Sequence, residues 1–337
     1  MVAPKTAARA FAYRAGVRIA GTVVACDASA GGDLIFLSHA AVLGARGRRA
    51  LPRVGGGRRQ ILSTDLTLSL LGPFGERLRS QALIAAYGRP FALGELRLEI
   101  FPSAYLPGAA SLLCEREGRR IVYAGPIAEG AAVRSADALC LDGRFAARAS
   151  VFPERTAAVA ALLQVVRDTL AAGAAPVLLI DPLPLALSAG LALTGAGLSL
   201  RAHRVLVNAA AVFQGAGVPA PALQRFAGRL APDEVLLWPA SEPGPPRVGG
   251  SRPLSLLLVS PRAEDPALRA RLGVARGVVF PFGEDFSGLL RYVDATGASE
   301  VALVGAPGDE LVELLRGRGL DVYRLGPPRQ IDLFAAA

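Results

Sequence analysis

From about residue 150 the chain alternates amphipathic helical segments with short, uniformly apolar strands, and that alternation restricts it to α/β folds. Pro153-Glu154 opens a helix whose apolar positions Val159, Leu162, Val166 and Leu170 share a face, and Gly173 stops it. Val177 to Ile180 is apolar at every position. A strand of that kind is buried on both faces, which predicts a parallel sheet covered by helices. Further strands are expected over 198–202 and 234–238, and helices over 205–214 and 220–230. Pro239 to Pro253 reads as a linker. Beyond it the pattern predicts strand 254–259, a helix, strand 277–280, helix 284–294, strand 301–304, helix 309–316 and strand 320–324.

The first 150 residues are β-rich instead. Val17 to Cys26 reads as one strand, with Asp27-Ala28-Ser29 and Gly31-Gly32 as a turn before the buried strand Leu34 to Leu37. Ser63 is the expected N-cap of a short helix through Leu70. Leu96, Leu98 and Ile100 alternate with Arg97 and Glu99, as in a half-buried strand. Ser111 to Glu115 and Arg120 to Tyr123 flank Gly118 as a hairpin, and Ala138 to Leu141 is a last strand.

A chain of 337 residues that is 52% hydrophobic has ample core for one large or two moderate domains, which excludes a disordered protein. The net charge of +9 is arginine charge, since Lys5 is the sole lysine, and it makes an anionic partner such as DNA or RNA an expectation. Arg46, Arg48, Arg49, Arg53, Arg58 and Arg59 form a run free of acidic residues around Gly55-Gly56-Gly57, the candidate contact to a phosphate backbone. A solvated loop is the competing reading. The glycines are not a P-loop, because no Gly-Lys-Ser/Thr follows. Cys26, Cys114 and Cys140 lie far apart without a Cys-x-x-Cys, so neither a disulfide framework nor a zinc knuckle is expected, in keeping with the cytoplasm. The uncharged stretch 183–200 carries Pro184 and several glycines and reads as a buried helix leading into a strand, so no membrane partner is expected.

Several short motifs recur in a definite order: Leu37-Ser38-His39-Ala40, Gly108-Ala109-Ala110, Tyr123-Ala124-Gly125, Pro176-Val177-Leu178-Leu179, Asp294-Ala295-Thr296-Gly297-Ala298 and the closing 330–334 segment. Together they resemble the β-CASP nucleases of the metallo-β-lactamase fold, above all the bacterial exonucleases that accompany DNA ligases or process RNA 3′ ends. The resemblance implies a metallo-β-lactamase-like αββα sandwich with an inserted β-CASP-type α/β cap: residues 1–150 and 251–337 form the sandwich and 151–250 the cap. It also implies two Zn or Mn ions that activate water and hold phosphate.

The ligand set that such a centre requires is eroded. Asp27 and His39 match the first ligands, but Ala41, Leu43 and Gly44 stand where two further histidines and an aspartate belong. Tyr105 replaces another histidine, and Pro126 replaces the bridging aspartate. Asp142 matches the family's later acidic residue and His203 its leaving-group histidine. Pro281-Phe282-Gly283-Glu284-Asp285 and Gly305-Ala306 lack the last two histidines, and the chain contains only two histidines in all. Asp27, His39, Asp142 and His203 are thus relics, with no catalytic or metal-binding residues expected to function. Read from the residues alone, Asp27 is a turn residue and His39 a structural group at a strand end.

The expected function is therefore that of a catalytically inactive pseudonuclease without cofactor. It would bind nucleic acid or act as a scaffold in DNA repair or RNA processing, beside an active nuclease, a ligase or a helicase. The alternatives are a residual metal-dependent exonuclease of DNA or RNA, and a protein-only interaction module.

Overall fold

Two compact units emerge from the computed structural model, which describes residues 8–29, 31–40, 59–181, 183–242, 248–250, 252–305 and 308–327. The first comprises residues 1–104, 108–150 and 285–337; the second comprises residues 105–107 and 151–284.

The first unit opens with β1 (Phe11–Tyr13), β2 (Val17–Ile19), β3 (Val24–Cys26), β4 (Leu34–Phe36), β5 (Gln60–Ser63), helices α1 (Asp65–Leu70) and α2 (Pro73–Leu78), and β6 (Ala82–Ile84). These strands make a six-stranded sheet in chain order. The chain continues through β7 (Phe91–Leu93), β8 (Leu96–Pro102), β9 (Ala110–Arg116), β10 (Arg119–Gly125) and β11 (Ala138–Asp142). The second unit holds α3 (Arg155–Ala171), β12 (Ala175–Ile180), α4 (Leu183–Gly195), β13 (Ser199–Ala202), α5 (Arg204–Gly215), β14 (Leu223–Arg225), β15 (Glu234–Trp238), β16 (Leu254–Ser260), α6 (Pro266–Leu272) and β17 (Arg276–Val279). Returning to the first unit, α7 (Phe286–Thr296), β18 (Glu300–Val304), α8 (Asp309–Gly317) and β19 (Asp321–Arg324) follow. The second sheet then runs β19-β18-β11-β10-β9-β8-β7.

Both sheets of the first unit repeat one plan. β1 to β3 pair antiparallel, and β3 to β6 pair parallel. Likewise β7 to β10 pair antiparallel, and β10, β11, β18 and β19 pair parallel. The pleat explains why these strands are apolar on both faces. Leu98, Ile100, Leu112, Cys114, Tyr123 and Cys140 join Val17, Ile19, Cys26, Leu34 and Phe36 in one core between the sheets. The alternate residues Phe101, Leu113, Val122, Leu139, Val301 and Leu303 pack outward against Leu289 and Val293 of α7 and Leu311 and Leu315 of α8. On the other side Ile35, Leu37 and Ile61 pack against Leu68, Phe74 and Leu78 of α1 and α2. The layers of this unit are helices, sheet, sheet, helices.

The second unit is a six-stranded, all-parallel sheet in the order β14-β13-β15-β12-β16-β17. Every residue of β12 is buried, as its apolar run requires. Strands β16 and β17 belong to this sheet, β16 pairing with β12 from Ala175↔Leu254 to Ile180↔Val259. The boundary expected at 250 therefore falls at 284, and the Pro239–Pro253 stretch connects two strands of one sheet rather than two domains.

Other expectations shift locally. Val17–Cys26 is two strands, because Gly21 (φ +70°) and the Thr22 hydroxyl bonded to the Ile19 carbonyl turn the chain between them. The N-cap of α1 is Thr64 rather than Ser63, whose hydroxyl instead reaches the Leu37 carbonyl. The helix expected over 220–230 is absent, and Leu223–Arg225 pairs with β13 as a strand. Pro219 and Pro221 hold that approach out of the helical region. Among the described residues no helix is long and apolar enough to cross a membrane.

Candidate functional site

The carboxyl ends of parallel strands β3, β4, β10, β11 and β18 carry Asp27, Ser38, His39, Gly125, Asp142 and Gly305. Strand ends of this kind are where α/β sheets place polar chemistry.

Asp27 leaves β3 at φ +49°, a left-handed conformation that Asp tolerates better than most residues. That turn aims its carboxylate at three donors. Oδ1 accepts from the Ser38 backbone N–H at 2.8 Å, and Oδ2 accepts from Ser38 Oγ at 2.5 Å and the Tyr123 hydroxyl at 2.8 Å. Burial pushes the carboxyl pKa up to about 6, against these hydrogen bonds, which favour the ionised form.

Ser38 Oγ also lies 2.7 Å from His39 Nδ1. Its single proton points to Asp27, so the imidazole supplies the proton of this second bond and carries it on Nδ1. His39 is 6% exposed, and its pKa falls to about 3, chiefly through burial and further through the nearby Arg144 cation. The result is a continuous chain, His39 to Ser38 to Asp27 from one side and Tyr123 to Asp27 from the other. Ser38 is buried (1% exposed), which removes it as an accessible nucleophile. Gly125 (φ +62°) keeps the chain clear of a Cβ that would press on Tyr123 and Ser38 Oγ.

Asp142, at the end of β11, is engaged by Arg144 through three contacts. Arg144 Nε and Nη2 reach Oδ2 at 2.8 and 2.7 Å, and the Arg144 backbone N–H reaches Oδ1 at 3.0 Å. A Cβ on Gly305 (φ +84°) would lie 2.8 Å from Asp142 Oδ1 and 3.0 Å from Arg144 Cγ, so the pair fits only over a glycine.

The two-ion centre implied by the resemblance can be judged on these donors. Asp27 has both oxygens committed to the protein, Asp142 is paired with a cation, and Tyr105 packs its ring 4.5 Å from that of Phe282 in the second unit. Asp285, in the segment matched to the family's Ser-Asp-His-Ala-Asp motif, caps α7 by accepting from Gly288 N–H at 2.9 Å. Among the described residues no three His, Cys, Asp or Glu side chains gather in a way that could hold a metal ion. The residues present do not fit such a centre.

The remaining sequence candidates lie on other elements of the two units. His203 belongs to the second unit, where it precedes α5 and packs edge-on against Trp238 with centroids 4.7 Å apart. His203 Nδ1 and Trp238 Nε1 are buried without a hydrogen-bond partner. Asp142 and His203, paired by the resemblance, thus belong to different units. Arg59 is half-buried just before β5, while Arg46, Arg48, Arg49, Arg53 and Arg58 lie outside the described residues, as do Ala41, Leu43 and Gly44. The three cysteines lie in the core between the sheets, and burial raises all three thiols, that of Cys114 to about 11, so none is a ready nucleophile.

Sequence reasoning overlooked Tyr123 and Arg144. Tyr123 sits inside a landmark motif, but nothing local marks its hydroxyl as a partner of Asp27. Arg144 was foreshadowed: Asp142-Gly143-Arg144 is a turn sequence in which an Asp bonds the backbone two residues on. No protein-family model matches this chain, and no curated protein sequence matches it.

Proposed function

We propose that this chain is a metallo-β-lactamase-like αββα sandwich with an inserted β-CASP-type α/β cap, and that it acts as a catalytically inactive pseudonuclease that binds nucleic acid. The layering of the first unit and the parallel sheet of the second agree with that architecture. One observation carries the loss of catalysis: the carboxylates of Asp27 and Asp142 are satisfied by the protein's own donors, Ser38 and Tyr123 for one and Arg144 for the other. Neither is left to hold an ion or activate water. The excess arginine then serves an anionic partner through counterion release rather than chemistry.

The test joins metal analysis to nuclease and binding assays on single- and double-stranded DNA and RNA. The expected outcome is binding that weakens steeply with salt, weakens again when Arg48, Arg49, Arg58 and Arg59 become Ala, and is accompanied by no cleavage with added Mn²⁺ or Zn²⁺. Cleavage abolished by His39→Ala would replace this reading with a residual exonuclease. Absence of binding at low salt would replace it with a protein-only interaction module.

A further inference from the structure

We infer that the second unit holds a binding site for a phosphate monoester, in the crevice between the carboxyl ends of β13 and β15. This site lies within residues 151–284, away from the strand ends of the first unit, and its ligand does not depend on the pseudonuclease reading.

Sheet order fixes the place. From β13 the chain runs through α5 to β14 on one side, and from β15 it runs to β16 on the other, beyond β12. Adjacent parallel strands whose connections part in this way leave a crevice outside their carboxyl ends, where open α/β sheets bind ligands. Ala202 is in register with both Leu237 and Arg225, so the residues that follow, His203, Trp238 and Phe226, come level across three strands. Trp238 packs edge-on against both neighbours, with ring centroids 4.7 Å from His203 and 6.2 Å from Phe226. His203 Nδ1 and Trp238 Nε1 are sheltered from water, and neither has a hydrogen-bond partner. An indole N–H only donates, so this group is completed by an acceptor that the strand ends do not supply.

The charge of that acceptor follows from what stands beside the rings. His203 is the N-cap of the twelve-residue helix α5, and its side chain makes no capping hydrogen bond. The first backbone N–H groups of α5 and the positive end of its dipole are therefore left for an anion. Arg204 opens α5, and Arg225 lies on β14; both are exposed and without an acidic partner among the described residues. Asp181, after β12, is taken up by the Ser241 backbone N–H and hydroxyl. Unmet donors, two arginines and an aromatic wall match a phosphate monoester on an organic group, as in a nucleotide. A free mononucleotide and the phosphorylated end of a nucleic-acid strand both present that chemistry.

Trp238 is the sole tryptophan, so the intrinsic fluorescence of the full chain reports from this site. Inorganic phosphate and adenosine monophosphate should each give a saturable change, and adenosine or KCl none. A tighter response to a 5′-phosphorylated oligonucleotide than to adenosine monophosphate assigns the site to a strand end, and the reverse assigns it to a free nucleotide. By calorimetry, Arg204→Ala and Arg225→Ala should each weaken binding of adenosine monophosphate about tenfold, as loss of a hydrogen bond to a charged group does. His203→Asp caps α5 from within and adds a repelling charge, so it should abolish binding with an unchanged circular dichroism spectrum. No saturable response to phosphate or adenosine monophosphate, an equal response to adenosine, or arginine variants that bind like the parent would overturn the inference. The salt-dependent binding and cleavage assays that decide the pseudonuclease reading are untouched by any of these results.

Discussion

Asp27 and His39 hold the same proton in different states of the chain. The unfolded protein has the ordinary values, about 3.9 for Asp and about 6.5 for His. In the fold, burial raises Asp27 to about 6 and lowers His39 to about 3. Because the Asp27 value is raised, its contribution to stability is fully present below its unfolded pKa and is lost as pH rises through about 6. Because the His39 value is lowered, its contribution is present above the unfolded histidine value and is lost as pH falls below it, through the folded value of about 3. Near pH 5 the unfolded chain carries the proton on His39 and the folded chain carries it on Asp27. The two slopes cancel. Stability of the parent, followed by urea melts at pH 4.5, 5.5 and 6.5, is expected to show almost no contribution from this pair. Asp27→Asn, which keeps a residue tolerant of the positive φ, removes one half, so stability should fall by up to about 1.4 kcal/mol per pH unit on acidification. His39→Gln removes the other half, and stability should rise over the same range. Parallel pH profiles for the parent and both variants would refute the shared-proton account. The sequence marked Asp27 and His39 as relics through the resemblance, and read Asp27 as a turn residue, which its backbone is. It could not reveal that the turn serves to reach Ser38 eleven residues on and Tyr123 ninety-six residues on, because long-range hydrogen bonds leave no trace in local spacing.

Among the elements, β18 does more than complete a sheet. Its first residue, Glu300, is 7% exposed and accepts from the Ala10 N–H at 2.7 Å, the Tyr323 hydroxyl at 2.6 Å and Arg119 Nη2 at 2.5 Å. Tyr323 in turn accepts from the Phe11 N–H at 3.2 Å, and Arg9 lies over its ring. One carboxylate therefore ties the start of β1 to β10, β18 and β19. Glu300→Ala strands a charge and two buried donors, and breaking a buried pair in this way costs about 3–5 kcal/mol; solvent at the partly exposed Arg119 places the expected loss near 3. A chemical-denaturation midpoint should register that loss, and hydrogen exchange at Ala10 and Phe11 should speed up more than exchange in β12. Unchanged protection at Ala10 would show that β1 is held by its ladder to β2 alone. Elements with a strong period were legible: β8, β11, β12 and the helices α3, α5 and α7 fall close to where the pattern set them. Those that depend on partners were not. Leu223–Arg225 is a strand because β13 offers it a ladder, not because three residues favour one, and β6 and β7 are edge strands of three residues whose sequence carries too little alternation to be seen.

At the scale of the whole molecule, the second unit is an insertion whose two ends meet. Ser150 closes the segment before it, and Phe286 opens the segment after it one residue inside the boundary. The Phe286 N–H donates to the Ser150 carbonyl at 3.3 Å, and Arg148 lies over the Phe286 ring. A chain that leaves and re-enters a unit at one point can be cut there without opening a gap. The sequence located the first boundary from the change of texture at 150, but set the second at the Pro/Gly-rich stretch near 250. Composition marks flexible connections, and this one joins β15 to β16 on either side of β12. Pairing, not composition, decides the domain. Two fragments follow from this geometry. Residues 151–284 expressed alone contain every strand of the parallel sheet, and they should unfold in one cooperative transition. Residues 1–150 joined to 285–337 through a short Gly-Ser bridge keep both sheets of the first unit, including the β11–β18 pairing from Ala138↔Glu300 to Asp142↔Val304, and should also unfold cooperatively. Cutting at 250 instead removes β16 and β17 from the sheet and exposes one edge of β12, whose six residues are all buried in the intact unit. That fragment should be aggregated or molten, with weak near-ultraviolet circular dichroism. A cooperative, well-ordered 151–250 fragment beside a disordered 151–284 fragment would return the boundary to the place composition suggested.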